Sequence, residues 1–159
     1  MEKSDFFKTF GVELNNKRYY EEAVYSVALI YNALNNHISR HLKDYGLSVA
    51  KFNVLLVIKH QGREEGASQV SISQHLVVTP SNMTRLLDKL EKEKLIRRVC
   101  QKGDRRVNLI KITDKGINLL DKIWPGYLNK LQSLSSHITA AEKKIVSTVL
   151  IKWLKGVLQ

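Results

Sequence analysis

The apolar positions change period along the chain. Between residues 19 and 43, Val24, Val27, Ala28, Tyr31, Leu34, Ile38 and Leu42 recur at three- and four-residue steps, which places them on one face of a long helix. Tyr45-Gly46 ends that pattern, and Gly46 suits the left-handed position after a helix. Ser48 then caps a second helix over residues 48–60, with Phe52, Leu55, Leu56 and Ile58 as its apolar content. The polar stretch QGREEGASQ, 61–69, reads as a loop. Ser71 and Gln74 form a Ser-x-x-Gln capping box that predicts a short helix. Thr79-Pro80 supplies a cap followed by proline at the first helical position, which predicts a longer helix over 80–93.

After Leu95-Ile96 the period falls to about two. Val99, then Val107, Leu109 and Ile112, predict two antiparallel strands near 96–101 and 106–112, joined by a turn at Lys102-Gly103-Asp104. Thr113-Asp114 starts another helix, which Pro125-Gly126 is expected to kink or divide. Thr139-x-x-Glu142 is a second capping box, opening a last helix with Ile145, Val149, Leu150, Trp153 and Leu154. A short helix, a tight turn and a longer helix make a helix-turn-helix, and a hairpin directly after it makes a winged helix. The expected fold is mainly α with a small β-hairpin: a winged helix-turn-helix flanked by long N- and C-terminal helices. No internal repeat is visible.

Composition narrows the function. The 159 residues suit one domain or two small lobes sharing a core. No apolar run reaches membrane-spanning length, and the N-terminus mixes both charge signs without the apolar stretch of a signal peptide. A cytoplasmic location is expected. The single cysteine, Cys100, excludes an intrachain disulfide. The net charge of +11 is unevenly spread: zero over residues 1–47, +1 over 48–78, +6 over 79–116 and +4 over 117–159. A basic block coinciding with the helix-turn-helix and hairpin is an electrostatic footprint for a polyanion, with double-stranded DNA first. A membrane surface fits less well, because the apolar residues here belong to a core.

The helix over 80–93 separates into faces. Met83, Leu86, Leu87 and Leu90 fall on one side, and Ser81, Arg85, Lys89 and Lys92 on another. The DNA major groove admits an α-helix and displays donors and acceptors on each base edge. Ser81, Asn82, Thr84 and Arg85, near the helix N-terminus, are candidate base-reading residues. Arg85 suits a bidentate contact with guanine and Asn82 one with adenine, whereas Lys89, further along, suits phosphate. Lys102, Arg105 and Arg106 at the hairpin tip are candidate contacts as well. A narrow ribbon reaches the minor groove, where negative potential favours arginine. Asp104 is a poor direct contact and is assigned instead to orienting an arginine. There is no Gly-rich phosphate loop and no nucleophile–base signature, so neither an enzyme nor a cofactor is expected.

Residues 47–116 resemble the winged helix of the MarR family of transcriptional regulators. The residues that carry the resemblance are LSVAKFNVLLVI, TPSNMTRLLDKLEKEKLIRR, the DRR of the hairpin tip, and IKITDKG. The flanking helices match the family's dimerisation region in position and length, which divides the chain into 1–46, 47–116 and 117–159. The resemblance implies a homodimer on a pseudo-palindromic operator, usually a repressor, released in many members by a small, often aromatic, effector. It assigns DNA contact to Ser81, Asn82, Thr84 and Arg85 on the helix, and to Arg105 and Arg106 on the wing. Two family glycines are missing: His75-Leu76-Val77-Val78 occupies the helix-turn-helix turn, and Lys94 follows the recognition helix. Non-specific nucleic-acid binding and a protein-interaction adapter are the alternatives from other classes.

Three features could sense a signal, and each has a plainer reading. Cys100 needs an activated thiolate to act as a redox switch, and otherwise it is an inert strand residue. His37, His41 and Asp44 share a helical face at metal-ligand spacing, or form a polar stripe near an interface. Tyr31, Tyr45, Phe52 and Trp124 are candidates to line one pocket for an aromatic effector, or to fill the core.

Overall fold

The computed structural model describes residues 3–13, 18–62, 65–76, 79–101 and 104–159. Among the described residues, seven helices and three strands follow one another as α1 (Lys3–Lys8), α2 (Tyr19–Lys43), α3 (Val49–Gln61), β1 (Ala67–Ser68), α4 (Gln69–Leu76), α5 (Pro80–Lys92), β2 (Ile96–Gln101), β3 (Asp104–Ile112), α6 (Asp114–Leu134) and α7 (Ala140–Val157). The helices follow the local signals closely. Ser48 is extended, and its hydroxyl accepts from the Lys51 amide to open α3. Thr113 does the same for Gly116 at the start of α6. At α7, Thr139 and Glu142 bond reciprocally, as a capping box requires. Gly46, at φ +70°, closes α2: the Leu47 N–H donates to the Leu42 carbonyl at 3.1 Å, and both leucines enter the core.

Four expectations are corrected. The loop before α4 contains β1, whose two residues pair with β3 as Ala67↔Ile110 and Ser68↔Leu109, giving a sheet of order β1-β3-β2. Two residues are too few for alternation to show. Secondly, Ser68 caps α4 rather than Ser71: the Ser68 hydroxyl accepts from the Ser71 amide at 3.1 Å, while Ser71 lies inside the helix. Thirdly, β3 begins at Asp104, two residues before the expected strand, and a bulge lies between Cys100 and Gln101 of β2. Fourthly, Pro125 does not divide α6, which continues as one helix through it. Gly126 supports this by close approach to α2, since a β-carbon there would sit 2.8 Å from His41 Cε1.

The core joins Leu42 of α2 with Phe52, Val54, Leu55 and Ile58 of α3, Ile72 of α4, Met83, Leu87 and Leu90 of α5, Ile96 and Ile110 of the sheet, and Leu120 and Ile123 of α6. Leu42 is the buried residue of α2, and α7 has none. The apolar face of α2 from Val24 to Tyr31 and that of α7 are therefore left exposed by the single chain. Among the described residues, no helix is long and apolar enough to cross a membrane.

Candidate nucleic-acid interface

Burial fixes the orientation of α5. Met83, Leu87 and Leu90 have no accessible surface, and turn the opposite side of the helix outward. Ser81, Asn82, Thr84, Arg85, Asp88, Lys89 and Lys92 are all exposed. At its N-terminus, Thr79 is extended and Pro80 starts the helix, with no side-chain cap on the first amides. One cross-link steadies this end: Gln69 of α4 donates from Nε2 to the Thr84 hydroxyl at 2.7 Å.

The other end of α5 is densely tied. Lys94 adopts φ +60°, and the chain reverses through Lys94 N–H to Glu91 carbonyl (2.8 Å) and Leu95 N–H to Leu90 carbonyl (2.9 Å). Glu93 forms an ion pair with Lys51 of α3, and its carbonyl accepts from Lys115 Nζ at 2.9 Å. The Thr113 hydroxyl lies 2.8 Å from the Lys94 carbonyl and 3.0 Å from that of Leu95. Gly116 packs directly against the Leu95 carbonyl and Ile112, leaving no room for a β-carbon. The exit of α5, the return of the wing and the start of α6 thus meet at one point.

The wing is tied to α5 by Arg98. Its Nη2 donates to Asp88 Oδ1 at 2.6 Å, its Nη1 pairs with Glu91 Oε2, and its backbone N–H donates to Glu91 Oε1 at 3.1 Å. The hydrogen bond to Asp88 is the largest influence raising the guanidinium pKa, partly opposed by burial and aided by Glu91. Arg105 and Arg106 lie near the start of β3, just after Asp104, at the distal end of the hairpin. Their side chains and that of Asp104 fall outside the described residues, as does Lys102.

Among the described residues, the four aromatics fall in different surroundings. Phe52 is 1% exposed, a core residue 4.9 Å from the ring of Tyr127. Tyr45 packs on the core and edge-on to His41. Tyr31 lines a cleft of about 420 Å³ with Asn35, Ser39, Val49, Asn53 and Leu86, between α2 and the winged helix. Trp124 borders a separate cleft of about 220 Å³ with Leu56 and Lys59. The helical positions of Phe52 and Leu55 direct them inward, which residue type alone did not reveal. The His37, His41 and Asp44 stripe forms no metal-ligand group among the described residues; His41 is turned against Gly126. Cys100 is exposed on β2.

Residues 36–123, more than half the chain, match the family described as transcriptional regulator SarA/Rot. The HTH-type transcriptional regulator MhqR of Bacillus subtilis is 30% identical over 120 residues, covering 76% of this chain and 81% of MhqR. A MarR mutant from E. coli complexed with operator DNA shares the fold with a TM-score of 0.80 at 20% identity, over 89% of this chain and 99% of that one. The S. aureus MepR–DNA complex gives 0.76 at 23% identity, over 84% and 96%. The chain belongs to the MarR family of winged helix-turn-helix transcriptional regulators.

As a MarR-family winged helix, the chain exposes Ser81, Asn82, Thr84, Arg85 and Lys89 on α5, and two residues that bond to this helix escape sequence reasoning. Gln69 stood in an apparent loop. Nothing in the period of the strand singles out Arg98, although Asp88 and Glu91, three residues apart on α5, are a visible demand for a cation. The missing family glycine at Lys94 coincides with the left-handed residue, so this chain accommodates a lysine where backbone conformation favours glycine.

Proposed function

We propose that this protein is a sequence-reading DNA-binding regulator that works as a homodimer. In this reading α5 enters the major groove with Ser81, Asn82, Thr84 and Arg85 toward the bases, Lys89 meets phosphate, and the wing carries Lys102, Arg105 and Arg106 to the minor groove. The observation that carries it is the outward polar face of α5, held by the buried Met83, Leu87 and Leu90 and fixed at its C-terminal end by side chains of α3 and of the start of α6. Dimerisation is supported by the apolar residues that α2 and α7 leave uncovered, with Ile145 and Leu154 at 63% and 55% exposure. Residues 1–46 and 117–159 would form the dimer, and 47–116 the DNA-binding unit. The cleft beside Tyr31 is the place for a small aromatic effector, because a ligand between α2 and the winged helix would bias one against the other. Repression is the expected sign, through occupation of an operator that overlaps a promoter.

The test is selection of binding sites from random duplex DNA at an ionic strength of about 0.15 M, where weak surface attraction is partly screened. The expected product is an inverted repeat with half-sites about 34–36 Å apart, one helical turn. Arg85→Ala should then cost about 1–3 kcal/mol and relax preference at one position. Binding without enrichment, fading smoothly as salt rises, would assign the basic face to general polyanion attraction instead.

A further inference from the structure

Asp88 and Glu91 interrupt a face of α5 otherwise lined by Arg85, Lys89 and Lys92. A carboxylate there opposes an approaching polyanion. Both are held by one guanidinium from outside the helix. Arg98 bridges Asp88 and Glu91 through separate nitrogens, and its main-chain N–H takes the second Glu91 oxygen. A lysine ammonium lacks the planar fork that spans two acceptors in this way. We propose that Arg98 is a positioning residue for DNA recognition. By clasping Asp88 and Glu91 it sets the direction in which the wing leaves the recognition helix, so that α5 and the wing arginines engage one duplex together. The inference rests on the preceding assignment of α5 and the wing to DNA.

The placement of Arg98 along β2 gives it this leverage. Before it, Leu95 and Ile96 are buried, and Arg98 itself pairs across the ladder with the buried Ile110. Beyond it the strand leaves the core, and Cys100 is exposed. Three further residues reach Gln101, about 10 Å at strand rise. A tilt of about 10° at Arg98 therefore shifts that end by about 2 Å, enough to break an arginine hydrogen bond. The side chains of Arg98, Asp88 and Glu91 are 28%, 58% and 37% exposed, so the clasp belongs to the surface class that contributes little to folding. Its effect should fall on binding.

The test uses the full chain and the duplex enriched by the selection above. The variants are Arg98→Lys, the double variant Asp88→Asn/Glu91→Gln, Arg106→Ala in each background, and Arg85→Ala. Arg98→Lys and the double variant should each weaken binding about tenfold, with the thermal midpoint nearly unchanged. Arg106→Ala should cost much less in either background than in the native chain, because the wing is already displaced. The double variant is the sharpest arm, since removing two carboxylates from a DNA-facing helix tightens binding if they act only by repulsion. Tighter binding there, native affinity in Arg98→Lys, or an undiminished Arg106 penalty would each overturn the positioning role. Loss on Arg85→Ala with none on Arg98→Lys overturns that role alone, whereas loss on neither overturns the recognition-helix assignment with it.

Discussion

Lys94→Gly should stabilise the protein, although it removes a side chain. Lys94 sits at φ +60°, in the left-handed region, and its side chain is exposed. The reversal after α5 depends on main-chain bonds at 2.8 and 2.9 Å, which glycine keeps. For an L-residue the left-handed conformation costs about 1–2 kcal/mol. Glycine offsets part of that gain by its extra freedom in the unfolded chain, about 0.5–1 kcal/mol. The net expectation is about 0.5–1 kcal/mol in favour of the variant, or about 1–4 °C in midpoint for a chain of this length. Urea unfolding at one fixed protein concentration measures it, because the midpoint of a dimer moves with concentration. Lys94→Ala removes the same charge without relieving the backbone and serves as the reference. Gly46→Ala is the mirror case: φ is +70° with no atom within 4 Å of the added carbon, so its loss reports backbone strain alone. If Lys94→Gly is no more stable than Lys94→Ala, the left-handed assignment at the end of α5 is wrong.

Gly116→Ala should destabilise by about 1–3 kcal/mol, because the new carbon meets the Leu95 carbonyl and lies 2.7 Å from Ile112 Cγ1; an unchanged melting curve would refute that packing. Leu87→Ala should cost about 2–5 kcal/mol in urea unfolding, since the side chain is fully buried, and a small effect would mean that the faces of α5 are misassigned. Ile145→Asp/Leu154→Asp should yield a folded monomer by sedimentation equilibrium, because neither residue is buried within its own chain. An unaltered dimer mass would place the interface elsewhere.

What was legible in the sequence follows the range of the forces involved. The ends of α2 and α3 were readable because Gly46 and Ser48 act on amides within a few residues. The start of α4 was misread although its chemistry is equally local. Ser68 and Ser71 both offer a hydroxyl at capping distance, and the choice is made by Ala67-Ser68 pairing with Ile110 and Leu109, some forty residues away. That pairing holds Ser68 extended, as a cap must be. Pro125 misled for the opposite reason: a local rule says break, but Leu120 and Ile123 anchor the preceding turns and Gly126 seats α6 on His41. Within the candidate site, residue types on α5 and the period of its leucines gave the outward face. The Arg98 clasp joins residues seven and ten positions apart across a helix end and a strand, a relation that no periodicity displays.

The unequal treatment of the two ends of α5 leads to a last prediction, in which stability and function should move in opposite directions. Helices α1, α2, α6 and α7 each carry an acid in the first turn, where the helix dipole favours it. The three helices α3, α4 and α5 of the winged-helix unit carry none. At α5 the first amides also lack a side-chain cap, while the C-terminal end is held by Lys51, Thr113 and Lys115. An N-terminus left positive and uncapped forgoes stabilisation of about 0.3–1 kcal/mol that one Asp would supply. Phosphate supplies the same anion from outside. Ser81→Asp should therefore raise the unfolding free energy by about 0.3–1 kcal/mol and weaken binding to the selected duplex about tenfold or more, because the new carboxylate takes the place of the phosphate and repels the rest. Stability from urea unfolding and affinity from fluorescence anisotropy, measured on the same preparation, separate the two effects. A variant that gains stability yet binds DNA as tightly as the native chain would show that the N-terminus of α5 does not face the duplex.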